Sequence, residues 1–240
     1  HSTQGFEGQK GSQEINRGMD RRPSLEINMK ELSPTSNTEF DLNGFVVVKQ
    51  LCNPAELFSA LPDFKGVYRY TGKKEEEYIY LEHDPQVGGA TARYWHPKYK
   101  SLHTEIRKKL EALLGRKLYN TYYYDRFYYP GQELKRHTDR SACEISVSVH
   151  CSTNLSAENA QWPFWIDTPN GERSVVLKAG DGLIYKGCER EHWREPMPRE
   201  YRKRLFKKPV EIKGLYYHQI FFHYVLANGY YAHCAGDKAY

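Results

Sequence analysis

The period of the apolar positions changes near residue 118. Upstream, Leu102, Ile106, Leu110, Leu113 and Leu114 recur three or four apart, which lays one apolar stripe along a helix predicted from about Ser101 to Leu114. Gly115 follows as its stop. Downstream, short runs rich in β-branched and aromatic residues predict strands at 119–129, 143–152, 163–167, 173–178, 182–186 and 215–226. Turn signals separate several of them: Pro130-Gly131, Thr168-Pro169-Asn170-Gly171 and Ala179-Gly180-Asp181-Gly182. Before the helix, Gly44 to Val48 reads as a strand, and Asn53-Pro54-Ala55-Glu56 has the cap, proline and acid spacing that opens a second helix. Residues 1–38 hold few large apolar side chains and are read as a flexible arm, or one ordered only by docking on a domain spanning 39–240.

Helices first and many short strands afterwards predict a mainly β fold with flanking helices. Two sheets packed face to face, a jelly roll or double-stranded β-helix of the cupin-like kind, can enclose a ligand cavity. The chain has 240 residues, enough for one domain with a sizeable core. Five cysteines in no paired spacing argue against a disulfide framework, and with no signal-peptide core they point to a cytoplasmic protein. No apolar stretch is long enough to span a bilayer, so no membrane partner is expected. The net charge is +5, and the basic residues cluster in 104–117 and 199–213. Those runs alone carry a nucleic-acid reading, and solvated faces explain them more simply. The oligomeric state is not legible.

Chemistry enters at His137-Thr138-Asp139, two ligand-capable side chains that share a face if the backbone is extended. His192 lies just beyond the strand Gly182 to Lys186. Two histidines and a carboxylate on one side of an ion form the facial triad of non-haem Fe(II) oxygenases, which leaves coordination positions open.

The surrounding residues strengthen this. Tyr128-Tyr129-Pro130-Gly131, followed by His137-Thr138-Asp139, resembles the segment that leads into the first metal ligands of prolyl-hydroxylase-like proteins. Gly180-Asp181-Gly182-Leu183-Ile184-Tyr185 resembles their strand before the second metal histidine, and Phe40 to Val48 their first strand. Over about 40–228 the chain resembles the 2-oxoglutarate/Fe(II)-dependent dioxygenase superfamily. The resemblance implies Fe(II) on His137, Asp139 and His192, with 2-oxoglutarate as co-substrate. It implies oxidative decarboxylation of that co-substrate coupled to hydroxylation of a peptidyl, amino-acid or small-molecule substrate, and Tyr128 as a hydroxyl donor to the co-substrate.

One family element is missing. The strand after the second histidine usually carries an Arg or Lys for the distal carboxylate, and here His218 stands at that place. Arg194, two residues after His192, is the leading replacement, because extended backbone would aim its forked guanidinium into the same cavity. Arg126, on the face of Tyr128, ranks second, and His218 itself third. Tyr124 and His150 are candidates to line the same pocket. Two other readings stay open: a binding module without catalysis, and a metal-dependent cupin-like enzyme that does not use 2-oxoglutarate. The segment 68–99 is read as a lid or as a plain surface hairpin.

Overall fold

The protein is described from a computed structural model that covers residues 26–28, 34–57, 67–70, 78–81 and 84–237. Most of the predicted arm therefore lies outside the described residues, as does any continuation of the helix expected at 53 beyond Leu57.

The strand-rich half forms β6 (Leu118–Tyr128), β7 (Leu134–His137), β8 (Ile145–Thr153), β9 (Phe164–Thr168), β10 (Gly171–Val175), β11 (Gly182–Tyr185), β12 (His192–Arg194) and β15 (Tyr217–Leu226). A separate hairpin, β13 (Tyr201–Arg204) and β14 (Lys207–Glu211), rises between β12 and β15. Upstream lie β1 (Glu26–Asn28), α1 (Pro34–Asn43), β2 (Phe45–Lys49), β3 (Val67–Tyr70), β4 (Tyr78–Leu81), β5 (Thr91–Tyr94) and α2 (Lys100–Leu114). The major sheet runs in the order β1-β2-β11-β8-β15-β6-β5-β4-β3, and the minor sheet in the order β10-β9-β12-β7. This is the jelly roll expected from the pattern.

Strand alternation divides the core in two. On β2, Val46 and Val48 point toward α2, whereas Phe45 and Val47 point inward. On β6, Tyr123 joins the helix layer, and Tyr122, Tyr124 and Tyr128 face the interior. Ile106, Leu110, Leu113 and Leu114 of α2 pack on Val147, Val149, Ile220 and Phe222 of the major sheet. The helix ends where Gly115 takes a left-handed φ of 65° and its N–H bonds the carbonyl of Glu111. The inner space is filled by Tyr128, Trp162, Tyr217 and Phe221 on one side and by Phe164, Ile166, Leu183 and Tyr185 on the other.

Two expectations are corrected. The helix predicted at Asn53 is a single 3-10 turn, Pro54–Glu56, capped by Asn53 and ended by extended backbone at Leu57. Within the arm, β1 docks on the domain by pairing parallel to β2, as the second reading of that segment allows, and α1 starts at Pro34. In the segment 68–99, β3, β4 and β5 extend the major sheet beside β6 instead of standing apart as a surface hairpin.

Candidate metal centre

The site is built on the β7–β12 pair. In its register His192 lies directly opposite His137, so two histidines from distant parts of the chain become cross-strand neighbours with ring centroids 4.4 Å apart. β7 ends at His137, so Asp139 reaches the site from the loop that follows and not from continued strand. Two anchors hold that loop. The Asp139 N–H donates to the Gly187 carbonyl at 2.8 Å, and Asp139 Oδ2 accepts from Ser146 Oγ at 2.9 Å. Asp139 Oδ1 is left facing the histidines, 3.5 Å from His137 Nε2 and 3.4 Å from His192 Nε2.

These three side chains can hold one ion, with ligand atoms within 4.8 Å of one another. The ring tautomers suit that task. His137 Nδ1 bonds the Lys135 carbonyl at 2.7 Å and His192 Nδ1 the Arg190 carbonyl at 2.9 Å. A carbonyl accepts only, so Nδ1 carries a proton in both rings, and Nε2 is the atom that faces the common centre and can ligate an ion. Burial alone would raise the Asp139 carboxyl, but the rings of His192 and His137 hold it well below the usual carboxylate range. One carboxylate oxygen and two imidazole Nε2 atoms form the facial donor set that suits Fe(II).

A buried relay supports the carboxylate from behind. Ser146 Oγ contacts His223 Nδ1 at 3.0 Å as well as Asp139. Burial drops the His223 pKa to about 3 against the pull of Asp139, so this ring stays neutral and donates through Nδ1. Gly187 is needed for close approach, since a Cβ there would run into Asp139 Oδ2, Ser146 Oγ and the Cys143 carbonyl.

Arg194 follows His192 on the inward face, as the two-residue period requires, while Trp193 between them faces outward and stacks on Trp165. Its guanidinium is buried among Trp162, Tyr217 and Phe164, with centroids at 4.4, 4.9 and 5.5 Å. Nη1 donates to the Trp162 carbonyl at 2.8 Å. Among the described residues no carboxylate pairs with it, and its Nε, the Tyr217 hydroxyl and Gln219 Oε1 have no hydrogen-bond partner. A buried cation without a counter-ion is costly, so this pocket has the chemistry of an anion site.

The remaining candidates separate. Arg126 is already neutralised, with Nε bonded to Asp84 at 3.0 Å, Nη1 to the Tyr128 hydroxyl at 3.0 Å and Nη2 to Gln86 at 2.6 Å. Tyr128 therefore faces the interior with its hydroxyl oxygen engaged by Arg126. Tyr124 lines the interior, stacked between Tyr94 and Phe221. His150 stacks on Tyr217 at 4.2 Å, and burial with the nearby Arg194 lowers its pKa to about 3. It is therefore a neutral wall of the Arg194 pocket.

His218 is corrected. Alternation along β15 sends Tyr217, Gln219, Phe221 and His223 inward and His218 to the helix side. There His218 Nε2 donates to Asp125 at 2.7 Å and the ring stacks on Phe127 at 3.9 Å. Arg93 and the Tyr99 hydroxyl complete that buried cluster around Asp125. Burial lowers the His218 pKa against the pull of Asp125.

Ser146, Gly187, Tyr217 and His223 were not singled out as site residues. Counting β15 by twos from Tyr217 would have found two of them. Gln86 carried no sequence signal. It lies in the turn from Asp84 to Ala90, where Asp84 Oδ1 accepts from the N–H groups of Gln86 and Val87. From that turn it reaches His137 Nε2 at 2.7 Å. This part of the 68–99 segment lies against the candidate metal-binding residues.

No family model and no curated protein sequence matches the chain. Solved structures do match in fold. A 2OG-Fe(II) oxygenase family oxidoreductase from Burkholderia pseudomallei aligns with a TM-score of 0.51 at 9% identity, covering 84% of this chain and 95% of that one. A prolyl hydroxylase from Trichoplax adhaerens, solved with a hypoxia inducible factor peptide fragment, aligns with a TM-score of 0.52 at 11% identity, covering 82% and 90%. The non-heme alpha ketoglutarate dependent epimerase SnoN from nogalamycin biosynthesis aligns with a TM-score of 0.50 at 10% identity, covering 81% and 83%. By architecture and by these likenesses, the chain has the double-stranded β-helix fold of the 2-oxoglutarate/Fe(II) oxygenases.

Proposed function

We propose that the protein is a non-haem Fe(II)- and 2-oxoglutarate-dependent oxygenase that hydroxylates a peptidyl or small-molecule substrate. The observation that carries this reading is one strand, β12, with a metal-competent histidine and, two residues on, a buried arginine that lacks an acidic partner among the described residues. Two residues of strand span roughly 6.6 Å. That suits a five-carbon dicarboxylate with one end on the metal and the other on the guanidinium.

His137, Asp139 and His192 would hold the iron, which when bound supplies oxidative decarboxylation of the co-substrate and activation of O₂. Ser146 keeps Asp139 Oδ2 occupied, so only Oδ1 is offered to the ion. Arg194 and Tyr217 orient the distal carboxylate, with Trp162 and Phe164 excluding water around the ion pair. Gln86 must leave His137 Nε2 when that lone pair is used by the metal, which couples the 84–90 turn to loading of the site. The peptide held by the Trichoplax adhaerens prolyl hydroxylase favours a peptidyl substrate, and SnoN favours a small molecule.

Succinate formation from 2-oxoglutarate with Fe(II) and O₂ tests the activity. Anaerobic calorimetry of 2-oxoglutarate against protein loaded with a divalent metal tests the site without turnover. Metal-dependent binding is expected in the parent protein and none in His192→Ala. Equal binding with and without metal, together with no succinate, would leave the fold but remove this function.

A further inference from the structure

The hairpin β13–β14 is not needed by the barrel. Every residue from Tyr201 to Val210 is exposed, and the ribbon forms a sheet of its own. Its base is tied down. Arg199 donates to Glu211 at 2.6 Å, Ile212 N–H to the Glu200 carbonyl at 2.8 Å, and Ser156 N–H to Glu200 Oε1 at 2.7 Å. The flanking acids are thus used at the base. Above it Arg202, Lys203, Arg204, Lys207 and Lys208 have no ion-pair partner among the described residues.

The tip is Leu205-Phe206, exposed at 83% and 96%. Arg204 pairs with Lys207 across it. Phe206 adopts a left-handed φ of 55°, a conformation that hairpin turns usually fill with Gly, Asn or Asp. The chain therefore puts the most exposed large apolar side chain among the described residues at a position where a small or polar residue would be easier.

We propose that this hairpin is an end-on docking element for an anionic lipid bilayer, with Leu205 and Phe206 entering the acyl boundary and the five cations forming a collar at the level of the phosphates. The charge pattern favours this occupant over others. It is axial, apolar at the tip and basic on both strands and both faces behind it, whereas a ribbon lying along nucleic acid needs cations mainly on the face it presents. Arg202 stands three residues from the tip, about 10 Å of strand, which matches the depth to which interfacial elements bury their apolar side. Strand addition by another chain is opposed by Pro209 and by the charges along both edges. The earlier expectation of no membrane partner concerned spanning segments, and no described helix is long and apolar enough to cross one. Surface docking needs no such helix.

The test is flotation of the full chain with phosphatidylcholine vesicles, with and without phosphatidylserine, beside a titration with a single-stranded oligonucleotide. Binding is expected only with the anionic vesicles and should weaken with salt. Each collar charge changed to Gln should lower the partition coefficient about fivefold. The double change Leu205→Ser, Phe206→Ser should abolish flotation and leave the melting temperature unmoved, because neither side chain packs on the domain. In Phe206→Trp the indole emission should shift blue with anionic vesicles and be quenched by acyl-chain labels. No flotation with phosphatidylserine, flotation indifferent to the Ser pair, or binding of the oligonucleotide in place of vesicles would overturn the proposal.

Discussion

At the residue scale the decisive comparison is between Arg194 and His218. They lie on opposite faces of the major sheet's enclosure. Arg194 points inward to unpaired hydrogen-bonding groups, while His218 is spent on Asp125. Arg194→Ala is expected to weaken 2-oxoglutarate binding by about 2–5 kcal/mol, the cost of truncating one partner of a buried charge pair, with metal affinity little changed. His218→Ala should leave that binding intact and cost about 1–3 kcal/mol of folding stability, because Asp125 loses a buried donor. Calorimetry and urea unfolding on both variants measure the two effects. If both variants bind 2-oxoglutarate like the parent, the carboxylate site is not at Arg194. The triad was legible because HxD and a later histidine are chemically marked. The supporting shell was not, because Ser146 and Gly187 differ from other serines and glycines only through what the fold brings beside them.

At the element scale, α2 and the metal site sit on opposite faces of the major sheet. α2 was readable from its stripe and Gly115 because its periodicity is set by one buried face. Leu110, fully buried in that layer, should cost about 2–5 kcal/mol when changed to Ala. Metal affinity in the native protein should not move, since no α2 residue touches the triad. Urea unfolding and a metal titration on the same variant check both statements, and a large loss of metal affinity would show that the layers are coupled. β3, β4 and β5 were missed because, among the described residues, their strand partners are each other and β6, and pairing at a sheet edge leaves no local pattern of its own. The extended backbone assumed from His137 to Asp139 ends at His137. The Asp139 loop is held by Gly187 and Ser146, partners 48 and 7 residues away along the chain.

For the whole molecule, buried neutral histidines link stability to acid. His103, on the buried face of α2, packs against β15 with Nε2 donating to the His223 carbonyl at 3.1 Å. Burial lowers its pKa from 6.5 to about 4. The unfolded chain therefore takes up a proton that the folded one refuses. The stability present above pH 6.5 is lost progressively as the pH falls toward 4, by on the order of 3 kcal/mol for such a group. His96, lowered to about 4, acts in the same direction. The melting temperature should fall across this window, and His103→Gln should flatten the fall. An unchanged slope in that variant would place the acid sensitivity elsewhere.

The sequence by itself determined which residues could be apolar layers, where the helix α2 and the strands β6, β8, β9, β11 and β15 run, and which three side chains could bind a metal, but not the strands β7 and β12 that carry the site. Those features follow from periodicities of two and 3.6 and from chemically distinctive side chains, both of which are local. Only the tertiary structure decided that His137 and His192 face each other across one strand pair, that Arg126 is already paired with Asp84 while Arg194 is not, and that His218 belongs to the other layer. Each of these depends on strand register and on which distant residue occupies the facing position. A one-residue slip of register exchanges inside for outside while leaving composition and pattern unchanged.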